Sequence, residues 1–143
     1  MLLKEAKIEY IPHFLDEKAA SDFCDFCLNS LPFEFYPITL YGKTFIQPRR
    51  QCMLLASDIK TYSYSSVTLP GTPFPAEVDS VIDKIMAVLP ENHPRINAAL
   101  CNLYEDGKHY ISQHSDKETD LVSDACIVSL SLGSTRRFDI KAN

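Results

Sequence analysis

Three residues near the C-terminal end of the chain, His114-Ser115-Asp116, carry the clearest potential for chemistry. Side chains alternate along an extended strand, so an imidazole and a carboxylate two positions apart point to the same side. A divalent metal asks for that from one strand, and mononuclear non-haem iron sites use two histidines and one carboxylate on one face of an octahedron. The pair reads equally as a solvated hydrogen-bonding unit at a strand end, and spacing alone does not separate the two. The same alternation puts Asn102 and Tyr104 on one face, with Cys101 and Leu103 on the other. An amide and a phenol so placed either bond within a core edge or offer donors to a small anion.

Other candidates read more plainly. Cys24 and Cys27 form a Cys-x-x-Cys spacing, but no second pair of metal-ligating residues completes a zinc site, and both fall on the buried face of an expected helix. His109 has the opposite parity to His114 and reads as surface, while His13 and His93 each adjoin proline and receive no role. Tyr62 and Tyr64 share a strand face, where tyrosines either pack or serve as a stacking platform for a base. Arg49 and Arg50, with Lys43 and Lys60 nearby, and Arg136, Arg137 and Lys141 form two basic clusters; solvated surface charge is the plainer reading of each.

The elements that must position these residues follow from punctuation and period. Asp16 is suited to cap a helix over 16–29, with Phe23, Phe26 and Cys27 at the spacing of a buried face and Leu31-Pro32 ending it. Pro75 opens a second helix that presents Val78, Val81, Ile82, Ile85 and Leu89 to a core until Pro90. Residues 36–55 and 62–69 are rich in aromatic and β-branched types and predict strands broken at Gly42 and Pro48. Strands are predicted again over 96–104, 110–116, 126–132 and 137–141. Helices followed by strands indicate an α+β domain with helices outside an antiparallel sheet or barrel of jelly-roll kind.

The 143 residues, 45% hydrophobic and 23% charged, suit one folded domain, 1–143. The longest apolar runs are too short to span a membrane, and an acid and a base in Met1-Leu2-Leu3-Lys4-Glu5 leave no room for a signal peptide. An intracellular protein of the cytoplasm or nucleus is expected. Five scattered cysteines read as reduced thiols, and the net charge of −5 argues against a surface coated by nucleic acid.

Taken together, Asn102-x-Tyr104, His114-x-Asp116 followed by the acidic Glu118, and Ser131-Leu132-Gly133 ending near Arg136 and Phe138 resemble the core of the AlkB family of nucleic-acid demethylases. Weaker similarity runs upstream through Pro48-Arg49, Tyr62-Ser63-Tyr64-Ser65 and Phe74-Pro75 to Ile11-Pro12-His13-Phe14-Leu15. The resemblance implies a double-stranded β-helix with N-terminal helices outside, and Fe(II) and 2-oxoglutarate as cofactor and co-substrate. It makes His114 and Asp116 metal ligands and catalytic, Asn102 and Tyr104 contacts to 2-oxoglutarate, and Glu118, Tyr62, Tyr64 and Arg49 substrate contacts.

The implied reaction uses dioxygen to hydroxylate an N-alkyl group on a base of single-stranded DNA or RNA, after which the hemiaminal releases an aldehyde; the base is first flipped from the stack. The family's second histidine and its 2-oxoglutarate-binding arginines would follow the Ser-Leu-Gly strand, but no histidine follows Asp116 in these 143 residues. The expectation is therefore a truncated domain lacking its closing strands and inactive by itself. Two alternatives stand beside the demethylase: a non-catalytic nucleic-acid or protein binding remnant using the basic clusters, and a hydroxylase of a small molecule or protein.

Overall fold

The protein is described by a computed structural model, covering residues 8–40, 42–59, 62–64, 67–114 and 126–140. Two compact units divide it, one of residues 1–30 and 128–143, the other of 31–127.

In the first unit, helix α1 spans Glu17–Ser30. Its start is set by Asp16, whose Oδ1 accepts from the Ala19 N–H at 2.8 Å and so satisfies one of the amides a helix leaves open at its N-terminus. Phe23 and Phe26, one turn apart, stack with centroids 6.1 Å apart. The face they share with Cys24 and Cys27 is half-buried. Gly133 has a φ of 75°, a conformation that costs glycine nothing, and a side chain there would lie 3.7 Å from the Cys24 Sγ. All five cysteines are free thiols.

The second unit is built on one long strand. β1 (Glu34–Leu40) and β2 (Lys43–Leu55) pair antiparallel through a turn at Gly42, where φ is 74°. β3 (Tyr62–Tyr64) and β4 (Val67–Leu69) form a separate two-stranded sheet. β5 (Gly71–Pro73) runs parallel to β2 at 53–55, and β6 (Ala98–Leu103) pairs antiparallel with β2 from Arg50↔Leu103 to Leu55↔Ala98. Since β6 occupies one edge of β2 over 50–55, β1 and β5 succeed each other along the opposite edge. A Cβ at Gly71 would fall 2.3 Å from Leu55 Cδ1, so only glycine lets β5 approach this closely.

Pro48 was expected to break the strand, yet β2 runs through it. The register with β1 shifts between Phe35 and Pro37, from Phe35↔Arg50 to Pro37↔Ile46, so Pro48 sits in a bulge where no ladder amide is required. Its carbonyl accepts instead from Tyr110 N–H at 3.0 Å.

α2 (Ala76–Met86) begins after Pro75 and buries Val78, Val81, Ile82 and Ile85, as the periodicity predicts. It ends before Leu89, which is only half-buried. Ala87 N–H still reaches Asp83 O at 3.1 Å, then Val88 N–H tightens onto Ile85 O; the residue before Pro90 disfavours continued helix.

The core lies along the end of β2, where Cys52, Met53, Leu54 and Leu55 are all at most 2% exposed. Met53 and Leu55 pack with Tyr36, Ile59, Ala98 and Leu100. The observed class is mixed α+β. Three predicted strands do not form among the described residues: 110–114, 126–132 and 137–140 have neither helix nor strand. No helix among the described residues is long and apolar enough to cross a membrane.

Candidate active site

Alternation along β2 places Gln47, Arg49 and Gln51 on the same side as Met53 and Leu55, continuing the core face with polar side chains. All three are buried, at 8%, 4% and 1% exposure. Across the ladder Asn102 is the register partner of Gln51. Arg49 Nε donates to Asn102 Oδ1 at 2.9 Å, Gln51 Nε2 donates to the same oxygen at 3.0 Å, and Gln47 Nε2 donates to Gln51 Oε1 at 3.0 Å. Four side chains thus form a connected polar cluster at the end of the core.

Gln51 admits a second arrangement. Turned over, its Oε1 lies 3.2 Å from Arg49 Nη2 and 3.3 Å from Nε, with its amide nitrogen toward Gln47. The turned form would give the guanidinium an acceptor, but it would also set Gln51 Oε1 3.0 Å from Asn102 Oδ1, oxygen against oxygen. With Gln51 Nε2 toward Asn102, that oxygen accepts from both Arg49 Nε and Gln51 Nε2. Asn102 itself is exposed, so Nδ2 faces outward. Among the described residues that nitrogen has no hydrogen-bond partner.

The neighbouring Arg50 points to the opposite face of β2. Its Nε and Nη2 donate to Phe33 O at 3.1 and 2.7 Å, and Nη1 pairs with Glu105 at 3.0 Å. Solvated surface charge, the plainer reading of this pair, therefore fails for Arg49, because alternation sends one guanidinium into the sheet and the other to a loop carbonyl. In the C-terminal cluster, exposed Arg137 pairs with Asp139 at 2.7 Å.

Tyr104 lies one residue beyond β6 and is half-buried. The chain then turns at Asp106, whose Oδ1 accepts from the N–H groups of Lys108 and His109 at 2.7 and 3.0 Å. His109, expected on the surface, is half-buried: its Nδ1 accepts from Glu105 N–H at 3.3 Å and its ring meets Phe35 edge-on at 6.1 Å. It closes the turn. His114 is exposed and donates from Nδ1 to Ser112 O at 2.9 Å, since a carbonyl only accepts. Nδ1 is thereby the ring's donor to the backbone, which leaves Nε2 as the ring nitrogen suited to a metal.

Asp116 and Glu118 lie outside the described residues. Among the described residues no group of three or more His, Cys, Asp or Glu converges as a metal site. Tyr62 and Tyr64 sit at the two ends of β3, opposite Leu69 and Val67.

Sequence reasoning passed over Gln47 and Gln51. The signal was available: polar residues at 47, 49 and 51 share parity with the apolar Met53 and Leu55, so they enter a buried face. His93 was also assigned no role, yet its Nε2 accepts from Cys126 N–H at 3.0 Å while Nδ1 donates to Pro94 O at 2.7 Å. On the other face of the ladder, Cys52 and Cys101 are register partners. A hydrogen bond from Cys52 holds the Cys101 thiol below its ordinary value, against burial, which would raise it.

Beyond this geometry, the chain as a whole is similar to known proteins. The chain belongs to the 2OG-Fe(II) oxygenase superfamily, whose pattern matches residues 7–143. Within it, the chain is similar to AlkB-family proteins. It is 29% identical over 135 residues to the DNA oxidative demethylase ALKBH2 of Arabidopsis thaliana, covering 92% of this chain and 42% of that protein. It is 31% identical over 101 residues to ALKBH2 of Bos taurus, covering 71% and 35%. It is 36% identical over 81 residues to the alpha-ketoglutarate-dependent dioxygenase alkB homolog 3 of Mus musculus, covering 56% and 27%. The chain spans less than half the length of these curated relatives.

Proposed function

We propose that the protein carrying this chain is an iron(II)- and 2-oxoglutarate-dependent dioxygenase that removes alkyl groups from the bases of DNA or RNA. The observation that supports it most is the Asn102 amide, its oxygen held by Arg49 and its nitrogen turned outward, within a chain of the oxygenase superfamily. The relatives' demethylase names supply the substrate class.

In this reading residues 1–143 belong to one jelly-roll oxygenase domain, His114 and Asp116 hold the iron, and Asn102 and Tyr104 donate to the 2-oxoglutarate carboxylates. The donor set present fits such a group in its chemistry: an imidazole with Nε2 as acceptor, and an amide N–H for an anion. Iron and 2-oxoglutarate together supply activation of dioxygen when bound. The protein's residues orient the co-substrate and present the base. Glu118 reads the edge of the flipped base, and Tyr62 and Tyr64 stack against it, which favours single-stranded nucleic acid as substrate. A nuclear location accords with the relatives' names.

The non-catalytic alternative relied on the clusters at Arg49/Arg50 and Arg136/Arg137, and the first of these is committed within the fold. The experiment is release of aldehyde and succinate from methylated single-stranded DNA and RNA by the full-length protein, with and without chelator. Glu118→Ala is expected to lose base selectivity while still consuming 2-oxoglutarate without substrate; equal loss of both would count against base reading.

A further inference from the structure

We infer that Arg49 is a positioning residue for the co-substrate: it fixes the Asn102 amide so that Nδ2, and not Oδ1, faces a bound dicarboxylate. The inference rests on the reading of Asn102 as a 2-oxoglutarate contact. A primary amide is nearly symmetric in shape, so an unconstrained asparagine turns its oxygen toward an anion as readily as its nitrogen, and an oxygen there repels. The guanidinium removes that choice. It has five donors and no acceptor, so only Oδ1 is tolerated at the 2.9 Å position beside Nε.

Burial makes this constraint strong. Arg49 is 4% exposed, and turning the amide over would set an N–H against a cation that water cannot reach. Gln51 Nε2 donates to the same oxygen at 3.0 Å, and Gln47 Nε2 holds Gln51 from behind. A cation hydrogen-bonded to the oxygen also polarises the amide and strengthens its outward N–H. Arg49 was expected among substrate contacts; its burial and its bond to Asn102 favour action through that residue instead.

The test is a double-mutant cycle read by calorimetric binding of 2-oxoglutarate to the full-length protein. Manganese(II) replaces iron, and dioxygen is excluded. Arg49→Met and Asn102→Ala should each weaken binding about tenfold, and the double variant also about tenfold rather than a hundredfold, because one residue acts through the other. Arg49→Lys, which retains a donor, should recover to within about threefold. Affinity for methylated oligonucleotide should be unchanged throughout. Additive losses, or unaltered binding by Arg49→Met where Asn102→Ala weakens it, would overturn the positioning role while leaving the co-substrate reading intact. Unaltered binding by Asn102→Ala would overturn both. If Arg49→Met does not fold, Asn102→Asp decides: it keeps an oxygen toward Arg49 and replaces only the outward donor. It should weaken 2-oxoglutarate binding at least tenfold with no fall in Tm, and unchanged binding would overturn the inference.

Discussion

The polar cluster at the end of β6 and the segment that follows it hold the two halves of the candidate site in different ways. Gln47, Arg49, Gln51 and Asn102 sit on paired strands, with three of the four side chains buried and each bonded to another. Residues 104–114 have no helix or strand, and the contacts that tie them include Glu105 to Arg50, His109 to Phe35, and Tyr110 N–H to Pro48 O. Past Tyr110 every described residue up to His114 is exposed. The co-substrate side is thus pre-organised by the sheet. The ligand side is held by a turn and side-chain tethers outside any strand, so the two should respond differently to mutation.

The largest difference should come from the buried end of β2. Leu54 is fully buried, and Leu54→Ala should cost about 2–5 kcal/mol in urea denaturation. A loss below about 1 kcal/mol would mean that the strand relaxes around the cavity and that the sheet is not the rigid half.

Arg50 tests the join between the two regions. Arg50→Met leaves Phe33 O without its two donors and releases Glu105, for a loss of roughly 1.5–3 kcal/mol. Faster hydrogen exchange should appear over 104–110, with β6 unchanged.

Asp106→Ala should cost only about 0.5–1.5 kcal/mol, since it removes two bonds in an exposed turn. Its effect on 2-oxoglutarate binding should be small and its effect on metal binding larger, which would sharpen the distinction between the two sides.

The smallest effect is alkaline. Burial, aided by the charge of Glu34, raises the Tyr36 hydroxyl above 10.0. A raised acid is neutral in the fold at a pH where it ionises in the unfolded chain. Its stabilisation is therefore complete below the ordinary tyrosine value and is lost as pH climbs past about 10. Tyr36→Phe should flatten that part of the stability curve, and an unchanged slope would assign it to another group.

Local signals made some of this legible in the sequence. Asp16 before an apolar period gave the start of α1, and Pro75 with Val78, Val81, Ile82 and Ile85 gave α2, because caps and helical period act within a few residues. The β1–β2 hairpin at Gly42 and strand β6 were legible for the same reason. Pro48 misled because a bulge set by Phe35 and Pro37 on the facing strand excuses its missing amide, and register is not a local property. Residues 126–132 and 137–140 have β-branched and aromatic side chains, but strand formation depends on a pairing partner, and Ile127 and Phe138 stand 67% and 77% exposed. At the site, alternation correctly grouped Asn102 apart from Cys101. Applied to 47–51 it would also have separated Arg49 from Arg50 and revealed the two glutamines.

In the proposed function His114 ligates the iron of a 2-oxoglutarate-consuming oxygenase. Single-turnover conversion of labelled 2-oxoglutarate to succinate, with full-length protein, iron(II) and methylated oligonucleotide, compares the native protein with His114→Ala. Iron-dependent succinate and aldehyde in equal amounts are expected from the native protein and neither from the variant, with 2-oxoglutarate binding through Asn102 only partly weakened. Full 2-oxoglutarate decarboxylation by His114→Ala would contradict the ligand role.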